Sequence, residues 1–515
     1  MSTLASSEAV SSSGSPALDA LAAHLQEASL LASSNALLDW DQETTMPAGG
    51  LEWRARQQAL LARIVHERVS SLERRDLIEA VESDADAMAD AGIAAMVREA
   101  RRDHEKATKL PTSLVEEMAK TSSMAKHEWA LAREKSDFAR FAPWLGKLVG
   151  LLRAQADCYG FPQGGERWDA LADLYEPGCT AKGVSAVFDP LRPRLQRLVA
   201  DLAASGVRPP SEFNDFEVAI PAQEALSRLV AEKIGFDFHR GRLDRSTHPF
   251  CSGTHCNDVR LTTRYNERCV NDALGSTMHE AGHGIYEQGL PFARVGTPLG
   301  ESVSLGIHES QSRMWENQVG RSRAFWAWLR RELPAVIGTD SARFSLDELY
   351  GAANVVEPGF IRVESDEATY NLHIMVRFEI ERAVIGGSLE VAGIPSVWNR
   401  LYKEYLGLDV PDDRRGCLQD IHWSMGAMGY FPTYTLGNLY ASQFFEAACA
   451  EIPGLVEGFA RGEFAPLKAW LNSNIHAHGR RFTPSELVER VTGKPLSAEP
   501  LMRHLEGKLR PLYGM

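Results

Sequence analysis

Residues 279–283 read His279-Glu280-Ala281-Gly282-His283, two imidazoles four positions apart with a carboxylate beside the first. On a helix of 3.6 residues per turn, positions i and i+4 point the same way. Both rings therefore reach one zinc ion, and Glu280 stands next to them, placed to take a proton from an attacking water. Chance yields this HExxH pattern in a chain of this length on the order of a few per cent of the time. Two incidental histidines on a surface helix are the plain alternative, so the surroundings must decide. A catalytic zinc also needs a third protein ligand and one open position. Glu309, 26 residues beyond His283, is the first choice, within a helical-looking stretch from Gly306 to Asn317. Its neighbour His308 lies about 100° away around a helix, so the two do not share one ion. Glu309 is preferred to His308. Glu301 and Glu316 are weaker alternatives, read more simply as solvated or as lying behind a ligand.

The motif needs a buried helix to hold it. Asn271 and Asp272 are placed to cap its start, and Leu274, Met278, Ala281 and Ile285 recur at three- and four-residue steps as an apolar stripe. Gly289 and Pro291 mark its end. Gly275, Gly282 and Gly284 each cost roughly 1 kcal/mol against Ala, a loss that packing must offset and that lets another segment come close to a metal. Strand-like residues precede this helix. Phe236 to Leu243 alternates loosely and Asp258 to Thr262 cleanly, with Asp258, Arg260 and Thr262 on one face. A small sheet there offers an edge for an extended peptide.

The rest reads as a continuous set of helices. From Pro16 the chain keeps helical step through Leu18, Leu21, Leu25, Ala28 and Ala32, ending near Trp40-Asp41 before a break at residues 47–50. Ala-, Leu-, Glu- and Arg-rich stretches then extend to about 107. Leu110-Pro111 opens another helix, with Ser113 and Glu116 at capping-box spacing. Pro143, Glu176-Pro177-Gly178 and Arg208-Pro209-Pro210 punctuate the helices beyond it. No long linker or internal repeat divides the chain, and residues 1–15, rich in serine, are expected to be disordered.

Composition narrows the function classes. The chain has 515 residues, 44% hydrophobic and 24% charged, with net charge −14, an ordinary globular balance that argues against nucleic acid or an anionic membrane as partner. Seven cysteines, an odd and scattered set, argue against a disulfide framework. Cys251, Cys256 and Cys269 with His255 match no standard zinc spacing and are read as thiols. The start lacks a cleavable signal pattern, and no run approaches the eighteen or so apolar residues of a membrane span. A cytoplasmic protein is expected.

Two later segments add polar groups in apolar surroundings. Residues 361–366 contain Arg362, suited to a carboxylate held by two parallel hydrogen bonds. Residues 416–423 contain His422, a possible oxyanion donor, with Tyr430 and Tyr434 close behind.

These segments occur in a telling order: His248-Pro249-Phe250, Asp258-x-Arg260-x-Thr262, HExxH at 279–283, His308-Glu309-Ser310-Gln311, Ile361-Arg362-x-x-Ser365-Asp366, and Gly416-x-x-Gln419-Asp420-x-His422-Trp423. Together they resemble the motif set of the carboxypeptidase Taq family, the M32 metallocarboxypeptidases. Trp40-Asp41-Gln42-Glu43 and Met46-Pro47 resemble that family's N-terminal segment, so the likeness runs from about 20 to 513. It implies a mainly α fold of gluzincin, neurolysin-like type. That fold is a single helical domain over 16–515 with a deep groove and a small sheet beside the HExxH helix. It implies His279, His283 and Glu309 as ligands of zinc, replaceable by cobalt, and Glu280 as catalytic base. It further implies a homodimer that removes C-terminal residues from peptides with broad specificity, proline being disfavoured.

On that reading Arg362 is the first choice for the substrate's free carboxylate and Arg260 the second. His248, Asp258, Gln419 and Asp420 are expected along the substrate. His422, Tyr430 or Tyr434 would steady the oxyanion. An aminopeptidase would want a glutamate in a Gly-x-Met-Glu-Asn string ahead of HExxH. The closest string, Gly426-Ala427-Met428-Gly429-Tyr430, comes after it and lacks the acid. A zinc oligopeptidase is the nearer rival, and a non-catalytic, metal-stabilised peptide-binding scaffold the remoter one.

Overall fold

The computed structural model describes residues 15–515. Helices dominate, and they sort into an N-terminal arm and a larger body. The arm comprises helices Pro16–Thr44, Leu51–Val69, Leu72–Glu82 and Ala91–Lys109, with a short turn of helix at Ala85–Met88. It has its own apolar cluster, built from Leu18, Leu21, Ile78, Val81, Met96 and Ala100 among others, to which Leu299 of the body adds. The body encloses a second, far larger core that takes in the HExxH helix and the sheet.

The first helix runs one turn past its expected end, to Thr44, because Trp40 is buried rather than terminal. The expected disorder of residues 1–14 lies outside the described residues. Ser15 is ordered as the helix cap, accepting from the Leu18 N–H at 3.5 Å and donating to Asp84 at 2.6 Å. The helix after Leu110 spans Thr112–Lys135 with Pro111 as its cap, not the expected Ser113–Glu116 box. Pro143 does not break the chain but lies inside helix Phe138–Tyr159. Among the described residues no helix is long and apolar enough to cross a membrane.

The sheet has three strands in the order β1-β3-β2. β1 (Gly241–Arg245) runs parallel to β3 (Asp258–Thr263), and β2 (Cys251–His255) pairs antiparallel with β3. β3 follows the expected alternation from Asp258 to Leu261, with Val259 and Leu261 buried, but Thr262, expected on the face of Asp258 and Arg260, is buried as well. The looser reading at Phe236 to Leu243 starts five residues early; Phe236 is instead a fully buried core residue. β2 has no apolar alternation to announce it, since β3 alone recruits it as an edge.

The HExxH helix spans Val270–Gly289, and Leu274, Met278, Ala281 and Ile285 are all buried as expected. Burying each larger side chain contributes about 1.5–3 kcal/mol, which outweighs the three glycines at roughly 1 kcal/mol each. Its start has no side-chain cap; Asp272 instead faces Arg264 at 3.2 Å. A cavity of about 490 Å³ opens near the end of this helix, by Glu287, Thr254 and Ser304. A second, of about 360 Å³, lies along its first half by Gly275, Met278 and Glu316.

Candidate metal centre

The Glu309 helix, Leu305–Arg313, crosses the HExxH helix at very short range. A Cβ on Gly282 would stand 2.6 Å from the Gln311 carbonyl oxygen and from Ser312 Cα. On the opposite side, helix Pro432–Glu451 presses in at Gly437, where a Cβ would meet Glu309 Cγ at 2.5 Å. Only glycine permits either approach. Gly284 is equally crowded, whereas Gly275 faces open space and has no such role.

This crossing sets the three donors. His279 Nε2 lies 3.6 Å from Glu309 Oε2, and His283 Nε2 lies 3.5 Å from the same atom. The three ligand atoms all fall within 4.8 Å of one another, the one such His/Cys/Asp/Glu group among the described residues. Ligands about 2.0–2.2 Å from a tetrahedral zinc are roughly 3.3–3.6 Å apart, so the donor set and spacing fit the ion. Glu301 is drawn into an ion pair with Arg480 at 3.1 Å and stands apart from this group.

The partners behind the donors fix which atom of each faces the centre. Glu316 Oε2 accepts from His279 Nδ1 at 2.9 Å, leaving Nε2 free. His283 Nδ1 lies 2.5 Å from His308 Nδ1, and His308 Nε2 lies 2.7 Å from Glu287 Oε1. If Glu287 accepts from His308, then His308 accepts from His283, and His283 Nε2 is again the bare nitrogen. His308 thus stands behind His283, which explains why it is not the third donor. Arg313 donates to Glu309 Oε1 at 2.7 Å and to Glu316 Oε2 at 3.2 Å. Glu316 lies on a π-helical continuation, Met314–Val319, a form enriched at functional sites.

Charge is set by this packing. Burial pushes the Glu280 carboxyl up to about 7, with Glu309 and Glu316 adding to the rise. Burial lowers His279, but Glu309 and the Glu316 hydrogen bond overcome it and raise the ring to about 9. Burial and the adjacent His308 depress His283 to about 3. Glu309 itself stays far below the usual carboxylate range despite burial, held there by Arg313 and His279. A cation arriving here must therefore displace a proton from His279.

A second buried cluster adjoins the first. Asp420 accepts from Arg362 Nε and Nη2 at 3.1 and 2.9 Å, and from Arg377 Nε and Nη2 at 2.7 and 2.5 Å. Arg362 Nη1 donates to the Tyr370 hydroxyl at 2.9 Å, and the Arg313 guanidinium sits 4.2 Å from the centroid of the same tyrosine ring. Tyr370 therefore bridges the two clusters. The Tyr434 ring lies 4.9 Å from the Arg362 guanidinium, and its hydroxyl meets His422 Nε2 at 3.4 Å. Tyr430 packs 5.1 Å from the His422 ring. Burial lowers His422 to about 4, so the ring is neutral at neutral pH.

Likeness to known proteins decides the family. The profile of the carboxypeptidase Taq (M32) metallopeptidases matches residues 20–509. The chain belongs to that family. It is similar to the thermostable carboxypeptidase 1 of Thermus thermophilus, 44% identical over 95% of this chain and 97% of that one. It is also similar to carboxypeptidase 1 of Bacillus subtilis, 37% identical over 93% and 95%. Among solved structures, the M32 carboxypeptidase of Deinococcus radiodurans R1 superposes with a TM-score of 0.94 at 42% identity, over 97% of this chain and all of that one. Metallocarboxypeptidase 1 of Trypanosoma cruzi gives 0.91 at 35%, over 96% and 99%. Like other M32 members, the chain is thus a metal-dependent peptide hydrolase of the carboxypeptidase class.

Within this M32 site the expected residues divide. His279, Glu280, His283, Glu309, Arg362, His422, Tyr430 and Tyr434 fall in the two linked clusters. Gln419 and Asp420, expected against the substrate, are instead spent on the arginines: Gln419 Oε1 accepts from the Arg362 N–H and from Arg377 at 2.9 and 2.8 Å. Arg260, Asp258 and His248 remain at the sheet. Arg260 is paired through two 2.9 Å bonds to Asp258 and stacked 4.5 Å from the Trp40 ring, while His248 is exposed. Asp258 already occupies two of the five N–H groups of Arg260, and Trp40 covers its face. Sequence reasoning gave Arg313 and Glu287 no role, although each lies four residues beyond a metal-facing donor on the same helix.

Proposed function

We propose that this protein is a zinc-dependent carboxypeptidase that removes C-terminal residues from peptides with broad specificity, proline being disfavoured. The carrying observation is the convergence of His279 Nε2, His283 Nε2 and Glu309 Oε2 beside Glu280. Those three residues would hold the ion, which when bound polarises the scissile carbonyl and acidifies water. Cobalt would serve in its place.

Glu280 takes the proton of the attacking water and passes it to the leaving amine. A carboxyl raised to about 7 by burial suits both directions of transfer near neutrality. His422, Tyr430 or Tyr434 donates to the developing oxyanion, a kind of contact whose loss costs roughly 3 kcal/mol. A neutral His422 suits this, because it donates without adding a charge.

Arg362 receives the free carboxylate of the substrate. A guanidinium has five N–H groups, and Asp420 and Tyr370 engage three of them. One hydrogen on each terminal nitrogen is left, the pair a carboxylate uses for a fork. Two copies form the working assembly, residues 16–515 act as one peptidase unit, and the protein works in the cytoplasm, a setting its free thiols fit. Metal analysis of the purified protein beside mass spectrometry of a peptide ladder tests the whole reading. One zinc per chain and stepwise loss from the C-terminus are expected; internal cuts would turn it toward an oligopeptidase.

A further inference from the structure

Glu381 is a buried carboxylate that the mechanism above does not use. It lies on helix Tyr370–Gly386 and is wholly inaccessible to solvent. Its Oε1 accepts from Trp423 Nε1 at 2.9 Å, and its Oε2 from the Gly429 N–H at 2.9 Å and Trp168 Nε1 at 3.2 Å. These partners are three neutral N–H groups, and Arg377 is the weakest of the influences on it. A carboxyl so placed persists only where its hydrogen bonds compensate the loss of water.

What it joins gives it a purpose. Trp423 directly follows His422, and Gly429 directly precedes Tyr430. One side chain therefore pins both feet of the loop between them. Between the feet lie a short 3₁₀ turn, His422–Met425, closed by the Ala427 N–H donating to the His422 carbonyl at 3.0 Å, the buried Met428, and two glycines at positive φ, Gly426 at 77° and Gly429 at 90°. A Cβ on Gly429 would lie 2.6 Å from the Ala172 N, so the foot is pressed against helix Arg167–Ala172, whose Trp168 is the third donor. His422 holds itself poorly. Its Nδ1 has no hydrogen bond, and its Nε2 reaches Tyr434 only at 3.4 Å. Its ring packs against Phe431 and Tyr430 at 4.6 and 5.1 Å, so the aim of the imidazole comes from those rings and from the backbone beneath it, and Tyr430 is set by the same clamp.

We propose that Glu381 is a positioning residue: by clamping Trp423 and Gly429 it sets His422 and Tyr430 at the angle from which they meet the substrate. This rests on the roles given to His422 and Tyr430 above. Glu381→Gln keeps the shape but turns an NH2 group toward one of the N–H donors, so one foot is released.

The test compares that substitution in metal-loaded wild type and in metal-loaded His422→Ala/Tyr430→Phe, with a peptide bearing a free C-terminus. In wild type, kcat should fall about tenfold to a hundredfold with metal content unchanged, the scale of loss from a small misplacement. In the doubly substituted background the same change should cost less than about twofold, because nothing is left to aim. A merely structural role would lower stability and multiply equally in both. Undiminished kcat in Glu381→Gln, equal losses in the two backgrounds, or full activity of His422→Ala/Tyr430→Phe each overturns the proposal. Where Glu381→Gln yields too little folded protein, Trp423→Phe, which frees one foot, carries the same comparison. Failure of the metal-centre reading shows separately, in Glu280→Gln with Glu381 intact.

Discussion

The candidate metal centre and the Arg362 cluster are both buried and both built from ion pairs, but with different donors: carboxylates and imidazoles at the first, two guanidinium groups at the second. At the first, Glu309 and Glu316 with Glu280 beside them face Arg313, the raised His279 ring and, more distantly, Arg321. At the second, a single Asp420 faces both Arg362 and Arg377, the latter with no exposed side-chain surface. A buried charge without a partner is costly, and in each region the buried charges are met by side chains of opposite sign. Tyr370, touching Arg362 and Arg313 at once, ties the two regions together. On the proposed function, a peptide C-terminus would place its scissile carbonyl at the first region and its free carboxylate at the second.

Removing the metal should do the greatest damage. A chelator should abolish hydrolysis, zinc or cobalt should restore it, and far-UV circular dichroism should stay helical because the helices rest on an apolar core. Unfolding on chelation would instead make the cation a structural element. Glu280→Gln comes next, with kcat expected to fall about a hundredfold to ten-thousandfold at unchanged metal content; near-normal turnover would refute Glu280 as the base.

Arg362→Ala should act on the second region alone. Losing hydrogen bonds to a charged group costs about 1.5–3 kcal/mol, so the preference for free over amidated C-termini should drop roughly tenfold to a hundredfold. If wild-type enzyme cleaves both forms equally, that cluster does not read the carboxylate. The smallest effect is on stability. Burial raises Glu176 to about 7 from an ordinary 4.5. Its folded pKa exceeds the unfolded one, so its contribution is full below about 4.5 and is lost as pH rises toward 7. Glu176→Gln lacks this slope. Its stability relative to wild type, read by denaturant unfolding, should climb by roughly 2–3 kcal/mol between pH 4.5 and 7 and then level off. Parallel curves would show that Glu176 keeps its ordinary ionisation.

The metal centre was legible because its information is local. His279, Glu280 and His283 share one helical turn, and the apolar stripe that buries them has the same period. Glu309 needed one guess, that a second helix crosses the first, and the string at 308–311 supplied it. A helix does start after Leu110-Pro111, but the Ser113–Glu116 box does not form and Pro143 makes no break, because capping strings and single prolines are weak signals that packing overrides. β2 escaped notice since an edge strand draws its conformation from its neighbour. Glu381 and Glu176 lay out of reach for another reason: their donors come from segments far apart in the chain, Trp168 and Gly429 in one case, Gly306 and Tyr440 in the other. Arg362, singled out in sequence as the carboxylate clamp, is buried, and Gln419 and Asp420, expected along the substrate, bond to it and to Arg377.

Gly282 and Gly437 leave the Glu309 helix no slack on either flank. Main chain rests on main chain at the first, and the second seats its helix directly on the Glu309 stem. The gauge between the imidazoles and the carboxylate is thereby a steric stop, not a sum of adjustable side-chain fits. Even one methyl at either stop would collide with the main chain at Gln311 and Ser312 or with the Glu309 stem, and so pry the carboxylate away from the imidazoles.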